Sequence, residues 1–188
     1  MKFIGLEKQA SGKYISRYNL TYETNDGKTK VYEMISRDPD ITDFETLHGK
    51  DPADAVVLII HNEDHSKVLV NREFRLAPGK WVYNFPAGLI DPGETPEEAA
   101  ARELWEETGL HLDKVEDFIP ASYSAVGFSN EKNVVIVGTA SGEFAKSTSS
   151  VEEIEAAWYT KAEMRELLKK ELFAARTQAY CYLWSKEK

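Results

Sequence analysis

Apolar positions in this chain recur at two spacings, and the change between them marks where strands give way to helices. Residues 14–24, YISRYNLTYET, and 28–37, KTKVYEMISR, read as two strands joined at Asn25-Asp26-Gly27, a dipeptide-rich turn that suits a hairpin. Residues 54–60, DAVVLII, and 67–72, KVLVNR, are further strand runs separated by a polar turn from His61 to His65. Residues 117–124 and 133–140 are also strand-like, and Gly138 inside NVVIVGTA suggests a bulge or a close neighbour. Helical spacing appears over 96–108, from Lys161 to about Lys170 behind Thr160, and from about Leu172 to Trp184. Strands interleaved with helices give an α/β fold. The stretch Asp38–Pro52, with Pro, Asp and Gly, reads as a linker, so residues 1–50 form an extension and 51–188 the main domain.

The helix over 96–108 is the best marked. Thr95 is an N-cap, Pro96 occupies the first helical position, Glu98 completes a capping box and Gly109 suits the left-handed residue past the end. At roughly 100° per residue, Glu103, Glu106 and Glu107 gather in one quadrant, with Ala101, Leu104, Trp105 and Thr108 on another side. Like charges at these spacings repel. Either the face is simply solvated, or a hard divalent cation such as Mg²⁺ or Mn²⁺ offsets the repulsion through oxygen ligands.

Bulk properties narrow the choice. A length of 188 residues suits one sizeable core with a small extension, and 42% hydrophobic content with many aromatics is that of a globular protein. The net charge of −9 argues against a nucleic-acid partner. Cys181 is the lone cysteine, so no intrachain disulfide forms; with no signal-like N-terminus and no membrane-length apolar run, a cytoplasmic protein is expected. Gly27-Lys28-Thr29 is no phosphate loop, because Tyr22 stands where the first glycine belongs.

The full spacing decides between the solvated and the metal-binding helix. Gly88 is followed by Glu94, then by Arg102-Glu103-Leu104, Glu106-Glu107 and Gly109-Leu110, and this resembles the Nudix box at every fixed position. The chain is therefore similar to the Nudix hydrolases, and its layout resembles the ADP-ribose pyrophosphatase branch. That resemblance implies an α/β/α sandwich preceded by a small N-terminal antiparallel sheet that helps build a homodimer. It implies Glu103, Glu106 and Glu107 as metal-ligand carboxylates, the carbonyl of Ala87 as a further ligand, and Arg102 as the residue that orients the glutamates. Glu94 matches a position that is more often structural. Within Arg72-Glu73-Phe74-Arg75, alternation places Glu73 and Arg75 on one side, and Arg75 matches an arginine that contacts phosphate.

The same branch places a substrate loop at Ala125–Glu131, where Phe128 is a candidate to stack the base and Glu131 to hold substrate or metal. Val126 stands where the branch often carries proline. Ser150–Tyr159 resembles the segment that delivers a catalytic glutamate, with Glu152 and Glu153 both candidates for the general base. The implied activity is Mg²⁺-dependent hydrolysis of the diphosphate in a nucleoside diphosphate sugar, ADP-ribose giving AMP and ribose 5-phosphate. Another nucleotide sugar, NADH or an oxidised nucleotide is the alternative substrate; a non-catalytic nucleotide sensor is the alternative of another class.

Overall fold

The computed structural model describes residues 1–49, 51, 53–149 and 152–187. Lys50 and Pro52 in the expected linker, Ser150 and Val151 ahead of the expected catalytic glutamates, and the terminal Lys188 lie outside the described residues. The described chain forms two compact units, residues 1–54 with 121–134, and residues 55–120 with 135–188.

The first unit is built on three antiparallel strands in the order β1 (Lys2–Ser11), β2 (Ser16–Glu23), β3 (Thr29–Ser36). The expected hairpin is β2–β3, pairing Glu23 with Thr29 across a turn in which Gly27 takes a φ of 77°. Strand β1 was not expected. Most of its side chains are exposed, so it carries no alternation of buried and solvated positions. The core here gathers Tyr18, Leu20 and Met34 with Ile41 and Leu47. Thus the stretch read as a linker supplies two core residues, and a short 3-10 turn at Thr46–His48 positions Leu47.

In the second unit one sheet runs β10 (Ile154–Thr160), β5 (Lys67–Arg75), β4 (Ala55–His61), β9 (Lys132–Ser141), β8 (His111–Tyr123). Residues 121–123 and 132–134 of the last two strands count with the first unit. Two short strands, β6 (Lys80–Asn84) and β7 (Ala87–Leu89), pair with β5 and β4. Every residue of β4 is buried, which requires cover on both faces. Val57, Ile59, Val68 and Val70 pack with Met164 of α2 (Lys161–Leu167) and with Cys181 and Trp184 of α3 (Ala175–Lys186). Helix α1 (Pro96–Thr108) covers the other face, where Asn71 of β5 meets Glu107. The result is the expected α/β/α sandwich. Gly138 has the close neighbour its position suggested: a Cβ there would stand 2.2 Å from the carbonyl oxygen of Lys114.

The last two helices differ from their expected limits for a local reason. Leu172–Ala174 is tied to β6, with Tyr83 N donating to Leu172 O at 2.8 Å and Ala174 N to Tyr83 O at 2.9 Å. Those bonds hold Leu172–Ala174 extended, so α3 starts only at Ala175, while α2 ends at Leu167 and runs on as turns to Glu171. Among the described residues no helix is long and apolar enough to cross a membrane.

Candidate active site

Both ends of α1 are fixed as its sequence requires. Thr95 Oγ1 accepts from Glu98 N at 3.2 Å while Glu98 Oε2 accepts from Thr95 N at 2.8 Å, and Gly109 closes the helix at a φ of 79°. The chain beyond β9 returns to this end. Ala145 N donates to Thr108 O and Thr148 N to Glu106 O, both at 2.9 Å, so two of the helix's last carbonyls find partners there.

The faces of α1 are rotated from those expected. Ala99, Ala100, Leu104, Glu107 and Thr108 are buried, whereas Ala101 and Trp105 face solvent. Glu107 therefore sits inside the apolar face, between the alanines and Leu104, and Glu106 lies at its edge. Small side chains at 99 and 100 let the helix approach the sheet closely enough to bury the Glu107 carboxylate.

That burial pushes the Glu107 carboxyl well above the usual carboxylate range, and the nearby charges of Glu73, Glu103 and Glu152 add to the effect. A hydrogen bond from Asn71 Nδ2 to Glu107 Oε2 at 2.8 Å opposes it. Burial also raises the Glu103 carboxyl, against the pull of Arg102. Arg102 reaches Glu103 Oε1 at 2.7 Å and Glu106 Oε2 at 3.3 Å, and it also holds Glu94. Glu94 is locked to Arg102 and to the amide of Asp91, and its carboxyl is held below the usual carboxylate value chiefly by the hydrogen bond from the guanidinium.

Gly88 lies directly under Glu103. A Cβ built on it would come within 1.9 Å of the Glu103 carboxyl carbon, so only glycine lets that carboxylate lie along the β7 backbone. Ala87 precedes it in β7, opposite Val57 of β4. Glu152 and Glu153 stand exposed just before β10. The charge of Glu152 reaches both Glu103 and Glu107. The carbonyl of Glu153 accepts from Phe74 N at 3.0 Å, which binds its backbone to β5. Arg75 is exposed at the end of β5 with Nη1 3.4 Å from Glu73 Oε2.

Phe128 and Glu131 belong to the first unit. Phe128 lines an apolar pocket of about 600 Å³ there, together with Tyr22, Tyr32, Phe44, Tyr123 and Val126. Glu131 accepts from Arg37 Nε and, at 3.0 Å, from Ser124 Oγ, so its carboxylate pins the loop that carries Phe128.

Sequence reasoning passed over Asn71, Glu73 and Asn84. All three are buried, and Asn84 Nδ2 donates to Glu73 Oε1 at 2.9 Å. The available signal was the polar pair at 71 and 73, two residues apart on one side of an otherwise apolar strand.

Among the described residues no three carboxylate, histidine or cysteine side chains already stand as a metal-ligating group. The chemistry of the site nevertheless fits a divalent cation. Its carboxylate oxygens are hard donors that are buried or half-buried at Glu103 and Glu107, Gly88 leaves the space that the Glu103 carboxylate occupies, and the buried Asn71 Oδ1 has no hydrogen-bond partner among the described residues.

Comparison with known proteins agrees with this geometry. The family model described as the NUDIX domain matches residues 51–181. The ADP-sugar pyrophosphatase of Mus musculus is 33% identical over 138 residues, which cover 72% of this chain and 60% of that protein. The ADP-ribose pyrophosphatase of Bacillus subtilis (strain 168) is 32% identical over 130 residues, covering 69% of this chain and 61% of that one. This chain thus spans about three-fifths of the length of these relatives. A solved structure described as a crystal structure of an ADP compounds hydrolase has a TM-score of 0.71 at 21% identity, over 97% of this chain and 90% of that chain, a likeness of fold.

Proposed function

This chain belongs to the Nudix family, and on that premise we propose that it hydrolyses the diphosphate linkage of a nucleoside diphosphate sugar, with ADP-ribose, cleaved to AMP and ribose 5-phosphate, as first candidate. The observation that supports it most is the buried carboxylate of Glu107 on α1, with the charges of Glu73, Glu103 and Glu152 bearing on it and the guanidinium of the same helix, Arg102, shared with Glu94. Such a site strongly favours binding positive charge. The names of the mouse and bacterial relatives supply the substrate class.

Nudix hydrolases generally use divalent metal ions, and we assign Mg²⁺ here, with Mn²⁺ as the second ion of suitable chemistry. Glu103, Glu106, Glu107 and the Ala87 carbonyl would hold it. Bound there, the cation neutralises the diphosphate and lowers the pKa of the attacking water. Arg102 orients Glu103 and Glu106 by direct hydrogen bonds. Of the two base candidates we favour Glu152, whose charge reaches the ligand carboxylates while Glu153 is tied to β5 through its backbone. Glu152 takes the proton as the water oxygen bonds to one phosphorus and the bridging oxygen leaves with the other. Arg75, at the open end of the cluster, takes a phosphate oxygen; Phe128 and Glu131 are assigned to the substrate loop, with Phe128 offered to the base. We further assign a homodimer formed through the N-terminal sheet, in a reducing cytoplasm.

The test is AMP release from a panel of ADP-ribose, other nucleotide sugars, NADH and oxidised nucleotides at fixed Mg²⁺, with wild type and Glu107→Gln. A preference for ADP-ribose that is lost in Glu107→Gln, with far-UV circular dichroism unchanged, supports the reading. Equal turnover by the variant would sink the metal assignment. No turnover of any compound would bring forward a non-catalytic nucleotide sensor.

A further inference from the structure

The buried side of β5 carries a polar arrangement that the reaction above leaves unused. Asn71 and Glu73 lie two residues apart and so point to the same side of the strand, at 1% and 7% exposure. Asn71 stands opposite Asn84 in the β5–β6 ladder. Each asparagine holds one carboxylate: Asn71 Nδ2 donates to Glu107 Oε2 at 2.8 Å, and Asn84 Nδ2 to Glu73 Oε1 at 2.9 Å.

The direction of the second contact is set from the backbone. Phe85 N donates to Thr177 Oγ1 at 3.1 Å, so the hydroxyl is free to donate its one proton to Asn84 Oδ1, 3.0 Å away. Asn84 must then turn its amino group to Glu73. Thr177 and Asn84 are both buried, which locks the relay in place. The other oxygen of Glu73 faces Arg75 Nη1 at 3.4 Å.

That long contact to an exposed guanidinium offsets only part of the cost of holding two buried carboxylates, Glu73 and Glu107, on the same side of one strand, and a bound cation would offset the rest. Among the neighbouring carboxylates Glu73 bears on Glu107 most strongly, ahead of Glu103 and Glu152. A second observation points the same way. Asn71 spends its amino group on Glu107, and among the described residues its buried Oδ1 is left without a partner; a buried acceptor of that kind calls for an ion or a water.

We propose that Glu73 is a further carboxylate of the cation site, with Asn71 Oδ1 as a neutral oxygen beside it and Asn84 and Thr177 as the pair that aims it. This rests on the cation-dependent reading given above. The arrangement places oxygen donors on β5 as well as on α1, so residues of both elements would hold the cation.

The test is Mn²⁺ binding without nucleotide, followed by the electron paramagnetic resonance signal of the free ion, for wild type, Glu73→Gln, Glu73→Asp and Glu107→Gln. The Tm of each cation-free protein is measured alongside. Glu73→Gln is expected to weaken Mn²⁺ binding about 10- to 100-fold without lowering the cation-free Tm, because a buried like charge is removed and the bond from Asn84 is kept. Glu73→Asp should restore most of the affinity. Unchanged affinity in Glu73→Gln, with affinity lost in Glu107→Gln, overturns the role of Glu73 and leaves the functional reading standing. A lowered Tm in Glu73→Gln with no rescue by Glu73→Asp also overturns it, as a structural role would. A wild type that binds no Mn²⁺ removes both.

Discussion

Arg102 meets Glu94 with two parallel hydrogen bonds, Nε to Oε1 at 2.9 Å and Nη2 to Oε2 at 2.8 Å. The rest of the guanidinium fork reaches Glu103, Glu106 and, at 2.9 Å, the carbonyl of Leu89. One planar cation thus joins the loop before α1, the end of β7 and two of the proposed ligands.

Arg102→Lys keeps the charge and loses that fork, since an ammonium cannot make the bidentate pair. A kcat lower by about 10- to 100-fold is expected, the range seen when partners that orient metal ligands are changed, with a lower Tm and little change in KM. Steady-state kinetics and thermal unfolding check it; a lysine variant with wild-type kcat would show that charge alone suffices.

Gly88→Ala puts a methyl group where the Glu103 carboxylate lies. The strand is paired with β4 on that residue, at Val56, and cannot retreat, so Glu103 must move. Displacement of about 1 Å costs on the order of 100-fold in rate. Activity should fall by that order while circular dichroism stays as in the wild type.

The pH dependence of stability is expected to show a histidine component from His61. Its Nδ1 lies 3.0 Å from the Lys67 carbonyl, which can only accept, so Nδ1 carries the proton and Nε2 accepts from Tyr180 Oη at 2.7 Å. Burial holds the imidazole below its ordinary pKa. The unfolded chain therefore takes up a proton below about pH 6.5 that the folded chain refuses, and this contribution falls as pH drops from there toward the folded value. Glu103 and Glu107, raised by burial, act in the opposite sense and favour the fold as pH falls toward the ordinary carboxylate range. The histidine part is read from the difference between wild type and His61→Gln in denaturant midpoints from pH 5 to 8. A difference that does not vary with pH would show that His61 titrates normally.

Cys181 is fully buried against α2, and burial pushes its thiol up to about 12. A thiol this far from ionised is a poor nucleophile. Iodoacetamide at pH 8 should leave the folded protein unmodified and label it fully in denaturant, as measured by mass spectrometry.

The helix that carries the site was legible because its ends are written in side chains: Thr95, Glu98 and Gly109 act locally, and the structure repeats their roles. Its faces were not, because hydrophobicity assigns Trp105 inward and Glu107 outward. In the structure the small side chains of Ala99 and Ala100 and the amide of Asn71 receive the Glu107 carboxylate instead. Strand β1 escaped because an exposed ladder partner needs no alternation. Asn71, Glu73 and Asn84 escaped because their meaning arises from β5, β6 and α3 coming together, which no single stretch of sequence displays.

Thr148, whose amide is tied to the Glu106 carbonyl, stands only four residues before Glu152. Four residues of chain reach at most about 14 Å. The segment carrying the proposed base is therefore tethered to the helix that carries the proposed ligands. Lengthening this tether, while keeping every named side chain, would let the two halves of the chemistry drift out of step.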